Sequence, residues 1–320
     1  METSTRVPNP FAKRVIVVDW GTTSLRCMLV EPDGEIARET ESSRGIRFIA
    51  DRAFEPELMN ALSSWFDEFG NLPVIALGMI TSRNGWIEVP YVRCPATASD
   101  LADGIIQRRL PNGADLYFLP GITDTTRQPF PDVMRGEETQ ILGFGLDKEA
   151  TIVLPGTHSK WAKVGQNRIL GFQTFVTGEI FALMSEHSFI AKAAAKSEGI
   201  DWESYDRGVR VAENATAGDA AFLTQLFSVR TGMLANELKS EEMQDYVSGL
   251  LIGLEFRQAR DCGWMKAGDS VGIVGNDGLN DRYRRAAAIF DLVTVDGGEH
   301  AAIAGALEIF ASVKARSDAA

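Results

Sequence analysis

The sequence predicts an α/β protein of two similar halves, each a sheet with helices, facing one another across a cleft. Three observations carry that prediction. The chain has 320 residues, about two domains at roughly 150 residues each. Its pattern of three strands, helix, strand, helix, strand and helix restarts after Asp147-Lys148-Glu149. A Gly-Thr-x-Ser loop also lies between the first two strands of each half, as Gly21-Thr22-Thr23-Ser24 and as Gly156-Thr157-His158-Ser159, 135 residues apart. The expected domains are 1–147 and 148–320.

In the first half, the apolar run from Arg14 to Val18 reads as a buried strand that ends at Asp19-Trp20-Gly21. Leu25 to Glu31 is a second strand, and Pro32-Asp33-Gly34-Glu35 is a hairpin turn into a third, Ile36 to Glu41. Leu58, Leu62, Trp65, Phe66 and Phe69 recur at helical spacing, which predicts a helix over Phe54 to Phe69. Pro73 then introduces the strand Val74 to Leu77. A helix near Ser99 to Leu110, a strand Leu116 to Leu119 and a helix Glu137 to Leu146 complete the half.

The second half repeats the opening with strands Thr151 to Leu154, Ser159 to Val164 and Ile169 to Phe175, the last two joined at Gly165-Gln166-Asn167. Helices are expected at Gly178 to His187, Ala217 to Leu238 and Glu242 to Cys262. They are followed by a strand Val271 to Val274, a helix Asp281 to Phe290, a strand Leu292 to Val295 and a last helix Glu299 to Val313.

Composition narrows the function. Forty-four acidic against 32 basic residues give a formal charge of −12, a field that repels nucleic acid and anionic membrane surfaces. Cys27, Cys94 and Cys262 lie far apart without metal-ligand spacing, and His158, His187 and His300 are the only histidines. A disulfide scaffold and a His-built zinc site are therefore not expected. Met1 to Pro10 lacks an apolar signal core and no apolar run is long enough to span a bilayer, so a cytoplasmic protein is expected. A homo-oligomer is compatible with all of this.

A Gly-Thr-Ser loop between strands directs successive backbone N–H groups and small hydroxyls at one point, an anion cradle. Two such loops could hold the phosphates of one nucleotide, although each alone also reads as a tight hairpin. No GxxxxGK[ST] loop and no GxGxxG fingerprint occurs. Asp19 ends the first strand, where open α/β sheets place ligands. It suits Mg²⁺ carried with a nucleotide, or else caps its own turn. Lys160 follows the second loop as Arg26 follows the first. His158 could bond the substrate or the transferred group, or simply shape the turn. Gly275-Asn276, after the strand Val271 to Val274, either lets an adenine ring lie against the backbone or makes a plain strand-to-helix turn.

Several of these runs carry a resemblance. Asp19 to Arg26, Pro155 to Trp161 and Gly272 to Asn276 resemble the phosphate-1, phosphate-2 and adenosine elements of the superfamily of sugar kinases, Hsp70 chaperones and actin. More narrowly, Met134-Arg135-Gly136-Glu137-Glu138-Thr139-Gln140, Pro155 to Trp161 and Gly78 to Trp86 resemble the 2-dehydro-3-deoxygalactonokinase family. The resemblance runs from Val15 through the last helix. It implies two RNase H-like, actin-like ATPase domains, with ATP and Mg²⁺ as cofactors. The implied reaction is phosphorylation of the 6-hydroxyl of 2-dehydro-3-deoxy-D-galactonate in galactonate catabolism.

The resemblance also implies roles. Gly136-Glu137 matches a Gly-Asp pair whose Asp takes the proton of the attacking hydroxyl in many sugar kinases, so Glu137 becomes the expected base, one methylene longer. Glu137 and Glu138 also suit a helix N-terminus without any catalytic role. A substrate carboxylate calls for Arg83 or Arg135, because Arg pairs with carboxylate through two parallel hydrogen bonds; a loop Arg is otherwise a solvated charge. Asn84 is expected at a sugar hydroxyl and Trp86 on the carbon chain, unless Trp86 is a core plug. Gly21, Thr22, Thr23, Ser24, Gly156, Thr157, Ser159, Lys160, Gly275 and Asn276 are the expected nucleotide contacts. Rival readings are a kinase of another sugar or sugar acid, or a nucleotide-dependent sensor or ATPase.

Overall fold

The run Val15–Trp20 (β1) has four fully buried residues in succession, Val15 to Val18, as a strand covered on both faces must. β1 pairs antiparallel with β2 (Leu25–Val30) and parallel with β4 (Val74–Leu77). The computed structural model describes residues 9–11, 13–195, 199–215, 222–298 and 300–317. They group into two compact units: residues 1–149, 164–172 and 300–320 in the first, and 150–163 and 173–299 in the second.

The first unit is built on a six-stranded sheet of order β3-β2-β1-β4-β7-β6, with β3 at Ile36–Ser42, β6 at Ile106–Arg109 and β7 at Asp115–Phe118. Helix α1 (Phe54–Phe69) buries Phe54, Leu58, Leu62 and Trp65, one stripe at helical spacing that joins the core of Ile16, Val18, Trp20, Val74 and Phe118. A small sheet of β5 (Val92–Arg93), β8 (Ile122–Asp124) and β9 (Asp132–Met134) leads into α3 (Glu137–Phe144).

A five-stranded sheet has the order β12-β11-β10-β13-β14, with β10, β13 and β14 in the second unit. Its strands are β10 (Ala150–Leu154), β11 (Ser159–Gly165), β12 (Arg168–Phe175), β13 (Ser270–Ile273) and β14 (Val293–Asp296). Strand for strand this repeats the order β3-β2-β1-β4-β7, with β10, β13 and β14 parallel. The helices are α4 (Thr177–His187), α5 (Phe189–Ala193), α6 (Trp202–Asn214), α7 (Phe222–Leu234), α8 (Met243–Asp261) and α9 (Asp277–Ile289). Among them α8 is buried along most of its length.

Several expectations change. The helix expected near Ser99 to Leu110 is instead α2 (Ala98–Asp103), opened by a Thr97–Asp100 capping box and followed by β6. Gly104 ends the helix, and Ile106 to Arg109 pair antiparallel with β7. Helix α6, whose buried Tyr205, Val209 and Ala212 are helically spaced, was not anticipated, nor was the β5-β8-β9 sheet. The helix expected from Ala217 begins at Phe222 among the described residues, and residues 217–221 lie outside them. Helix α9 starts at Asp277, four residues before the expected Asp281, because Asn276 caps it.

The division at 147/148 also differs from the observed grouping. The last helix, α10 (Ala301–Ser317; the expected start Glu299 lies outside the described residues), belongs to the first unit. There it packs on α3 at backbone distance: a Cβ at Gly143 would lie 1.9 Å from the Ala301 carbonyl oxygen, and one at Gly305 equally close to that of Thr139. Residues 164–172 join the same unit through buried Asp124. Its carboxylate accepts from Phe172 N (3.2 Å), Arg127 Nε (2.8 Å) and the Thr126 backbone and hydroxyl.

Candidate active site

In the first unit the sequence motifs meet at the carboxyl ends of β1, β4 and β9. Asp19 is the penultimate residue of β1, opposite Leu77 of β4. The chain leaves β4 through Gly78, whose φ of 85° belongs to glycine. A Cβ there would meet Asp19 Oδ1 at 3.0 Å, and a Cβ at Gly136, which leads into α3, would meet Gly78 Cα at 3.2 Å. Asp19, the Gly78 turn and the Gly136-Glu137 turn are therefore stacked in direct succession.

This corner is acidic. Glu137 Oε2 accepts from the Arg135 backbone N–H at 2.9 Å, and both oxygens of Glu138 accept from that of Gly136, at 2.9 and 2.8 Å. Glu138 is buried, and that burial, reinforced by the nearby Glu137 charge, pushes its carboxyl up to about 8. Asp19 keeps some surface open but is crowded by protein on most sides. Desolvation pushes it up to about 6; Arg26 opposes the rise, and Glu137 and Glu41 add to it. Arg26 itself is drawn to Glu39 and Glu41 on β3, at 3.3 and 3.4 Å. Excess negative charge at a partly open carboxylate suits a cation. Among the described residues no group of three or more His, Cys, Asp or Glu side chains could hold a metal by itself. A cation at this single carboxylate would have to draw most of its ligands from outside the protein.

The Gly21–Ser24 loop is braced from behind. Gly21 N–H donates to the Ser24 carbonyl (3.0 Å), while the carbonyls of Gly21, Thr22 and Thr23 accept from the N–H groups of Ile46, Arg47 and Gly45. With those carbonyls committed, Thr22 and Thr23 lie exposed at the tip.

The substrate candidates separate. Arg135 is buried and acts as a strut: its guanidinium donates to Thr81 Oγ1 (2.8 Å) and the Val89 carbonyl (2.7 Å), and lies 4.2 Å from the centre of the Tyr91 ring. Arg83 is 83% exposed and reaches Glu88 at 3.4 Å. Asn84 is exposed. Trp86 packs edge-on against Phe118 of the core, with ring centroids 5.4 Å apart, which is how a core plug behaves.

In the second unit the loop between β10 and β11 lies against the start of α4. A Cβ at Gly178 would fall 2.4 Å from the Gly156 carbonyl oxygen, and Glu179 N–H donates to the Thr157 carbonyl at 2.9 Å. A Cβ on Gly156 would project into open space. His158 Nε2 lies 2.7 Å from Glu179 Oε2, both side chains half exposed. Lys160 is buried, and its Nζ donates to the His158 carbonyl at 3.0 Å. Ser159 is fully buried and donates through Oγ to Glu255 Oε1 at 2.7 Å, so this hydroxyl faces inward. Gly275 sits beside Pro155, 3.5 Å from its carbonyl oxygen to a built Cβ. Asn276 Oδ1 accepts from Gly278 N–H at 3.1 Å, the cap of α9.

Sequence reasoning missed Glu255. It sits in the middle of a helix whose apolar pattern gives no sign of a buried carboxylate.

Comparison with known proteins adds to this geometry. The family model described as 2-keto-3-deoxy-galactonokinase matches residues 19–309. The chain is 35% identical over 274 residues to a probable 2-dehydro-3-deoxygalactonokinase of Rhizobium meliloti, covering 84% of this chain and 87% of that one. It is 30% identical to the 2-dehydro-3-deoxygalactonokinase of Escherichia coli, covering 85% and 89%. A crystal structure from Sinorhizobium meliloti, assigned as a 2-dehydro-3-deoxygalactonokinase, superposes with a TM-score of 0.80 at 32% identity, covering 94% of this chain and 99% of that one.

Proposed function

The chain belongs to the 2-keto-3-deoxy-galactonokinase family, and from that premise we propose how its residues divide the work. It is a 2-dehydro-3-deoxygalactonokinase-like kinase of galactonate catabolism, with the fold of the sugar-kinase, Hsp70 and actin ATPases. On our reading its two units, which lead with the same strand order, are RNase H-like halves. The chain takes ATP·Mg²⁺ and the sugar acid as substrates, and the 6-hydroxyl is the acceptor.

The observation that carries the reading is the convergence of Asp19, Gly78 and Gly136-Glu137 at the carboxyl ends of three strands. Asp19 would hold the magnesium, through water or directly. Glu137 faces the acceptor hydroxyl, orients it and removes its proton. Its carboxylate is held for this by the Arg135 N–H. The Arg135 strut to Thr81 and Val89 fixes that turn in place. Bound Mg²⁺ would neutralise charge on the phosphates during transfer.

Thr22, Thr23 and Ser24 offer N–H and hydroxyl donors to one end of the phosphate chain, and Gly156 and Thr157 offer theirs to the other. Gly156 suits close approach because the space a Cβ would point into is open. Gly275, next to Pro155, receives the adenosine end, with Asn276 holding the turn. Arg83, the exposed cation, meets the substrate carboxylate, and Asn84 a hydroxyl. Exclusion of water from around the reacting groups would favour transfer to sugar over hydrolysis.

The test is a coupled assay with ATP, Mg²⁺ and either 2-dehydro-3-deoxygalactonate or its gluconate epimer. Turnover of the galacto acid is expected, with the product carrying phosphate at position 6. Faster turnover of a neutral hexose, or phosphate release without sugar phosphorylation, would remove the reading.

A further inference from the structure

Glu255 lies in α8, 3% exposed, yet receives hydrogen bonds from three other elements. Oε1 accepts from Ser159 Oγ (2.7 Å) and from Trp161 Nε1 (2.8 Å) on β11. Oε2 accepts from Tyr283 Oη (2.8 Å) on α9. The side chain of Thr177, the first residue of α4, donates as well. A carboxylate has about four lone-pair sites, and four donors fill them. Burial still holds the group above the ordinary carboxylate range, so the arrangement costs desolvation that an apolar core residue would avoid.

The placement of the donors suggests what that cost secures. Ser159 is where the glycine loop 155–159 passes into β11, and Thr177 opens the helix whose next two residues press on Gly156 and Thr157. One carboxylate therefore grips the loop and its backstop together. We propose that Glu255 is a positioning residue for nucleotide binding, which sets the 155–159 loop against α4 so that its N–H groups converge on a phosphate. The proposal rests on the kinase reading above and deepens it. Ser159 then acts through Glu255 rather than by touching phosphate.

Glu255→Gln keeps the shape and one acceptor oxygen. It replaces the other oxygen with an amide that the rotatable hydroxyls of Tyr283 and Thr177 can meet, so the fold is expected to survive. Binding of a non-hydrolysable ATP analogue, measured by calorimetry, should weaken about tenfold, an ordinary size for coupled neighbours. KM for the sugar acid should stay within about twofold, below the 0.5 kcal/mol or so at which coupling becomes measurable. Ser159→Ala should give the same split, and the double variant should be no worse than the weaker single.

Unchanged analogue affinity in Glu255→Gln, or equal loss for both substrates, would overturn the proposal. If Glu255→Gln does not fold, Ser159→Ala and Thr177→Val must still lower analogue affinity selectively, and failure there overturns it equally. The two readings fail apart. Glu255-dependent nucleotide binding without any sugar-acid turnover in the wild type removes the kinase reading alone. Normal turnover with a nucleotide site indifferent to Glu255 removes only this one.

Discussion

Gly78 holds its α-carbon against the Asp19 carboxylate: a Cβ on Gly78 would lie 3.0 Å from Oδ1 and 3.1 Å from the Trp20 carbonyl oxygen. Its φ is 85°, a conformation that strains any residue with a side chain by about 1–3 kcal/mol. Gly78→Ala should therefore lower the melting temperature and also push Asp19 out of place. Activity measured well below the melting transition is expected to fall with it. Full activity in a destabilised variant would mean that Asp19 does not depend on this contact.

Glu137→Gln keeps an oxygen for the Arg135 N–H but cannot take a proton. Phosphoryl transfer should drop about 10²- to 10⁴-fold, the usual contribution of a general base. ATP binding by calorimetry should change little. Near-normal turnover would remove Glu137 as the base.

Asp19→Asn should separate stability from function. Burial raises the native Asp19 carboxyl to about 6, above its unfolded value. The native state therefore keeps this proton longer than the unfolded chain, and the group's contribution to stability declines as pH rises from about 4 to 6. At pH 7.5 the asparagine variant should melt no lower than the wild type. It should lose the extra stabilisation that Mg²⁺·ATP gives the wild type. A variant stabilised by Mg²⁺·ATP as strongly as the wild type would free Asp19 of its metal role.

Glu138 behaves likewise over a wider range. With its carboxyl near 8 in the fold, the native state binds a proton that the unfolded chain has released above about 4.5, so stability falls through this group between those values and levels off beyond. Glu138→Gln retains an acceptor for the Gly136 N–H without the charge. Its melting temperature relative to the wild type should climb from pH 5 to pH 8. A difference that is constant with pH would place the Glu138 titration elsewhere.

Arg83→Ala should raise KM for the sugar acid about tenfold or more, as loss of a charged hydrogen bond does, with ATP binding unchanged. A change confined to ATP would move Arg83 to the nucleotide side.

The sheets were legible because buried strands and glycine hairpins leave local marks. Val15 to Val18 and Val74 to Leu77 are unbroken apolar runs, and the two Gly-Thr loops announce the matching hairpins. Helix Ser99 to Leu110 misled because Leu101, Ile105, Ile106 and Leu110 mimic a helical stripe, while one glycine, Gly104, ends the helix in the fold. The motifs around Gly136 and Gly156 could be matched to a family, and the family model spans both. The inward turn of Ser159, the strut role of Arg135 and the burial of Glu255 could not be foreseen, since each depends on a partner 46 to 96 residues away.

The return of α10 to the first unit has a consequence for how the protein is made. The seat for α3, at Gly143 against Ala301, is supplied by residues the ribosome adds only after translating 150–299. The half begun earliest must wait, unfinished, through synthesis of the other. A chain ended at residue 299 would hold every strand of the second unit and still lack the helix that completes the first.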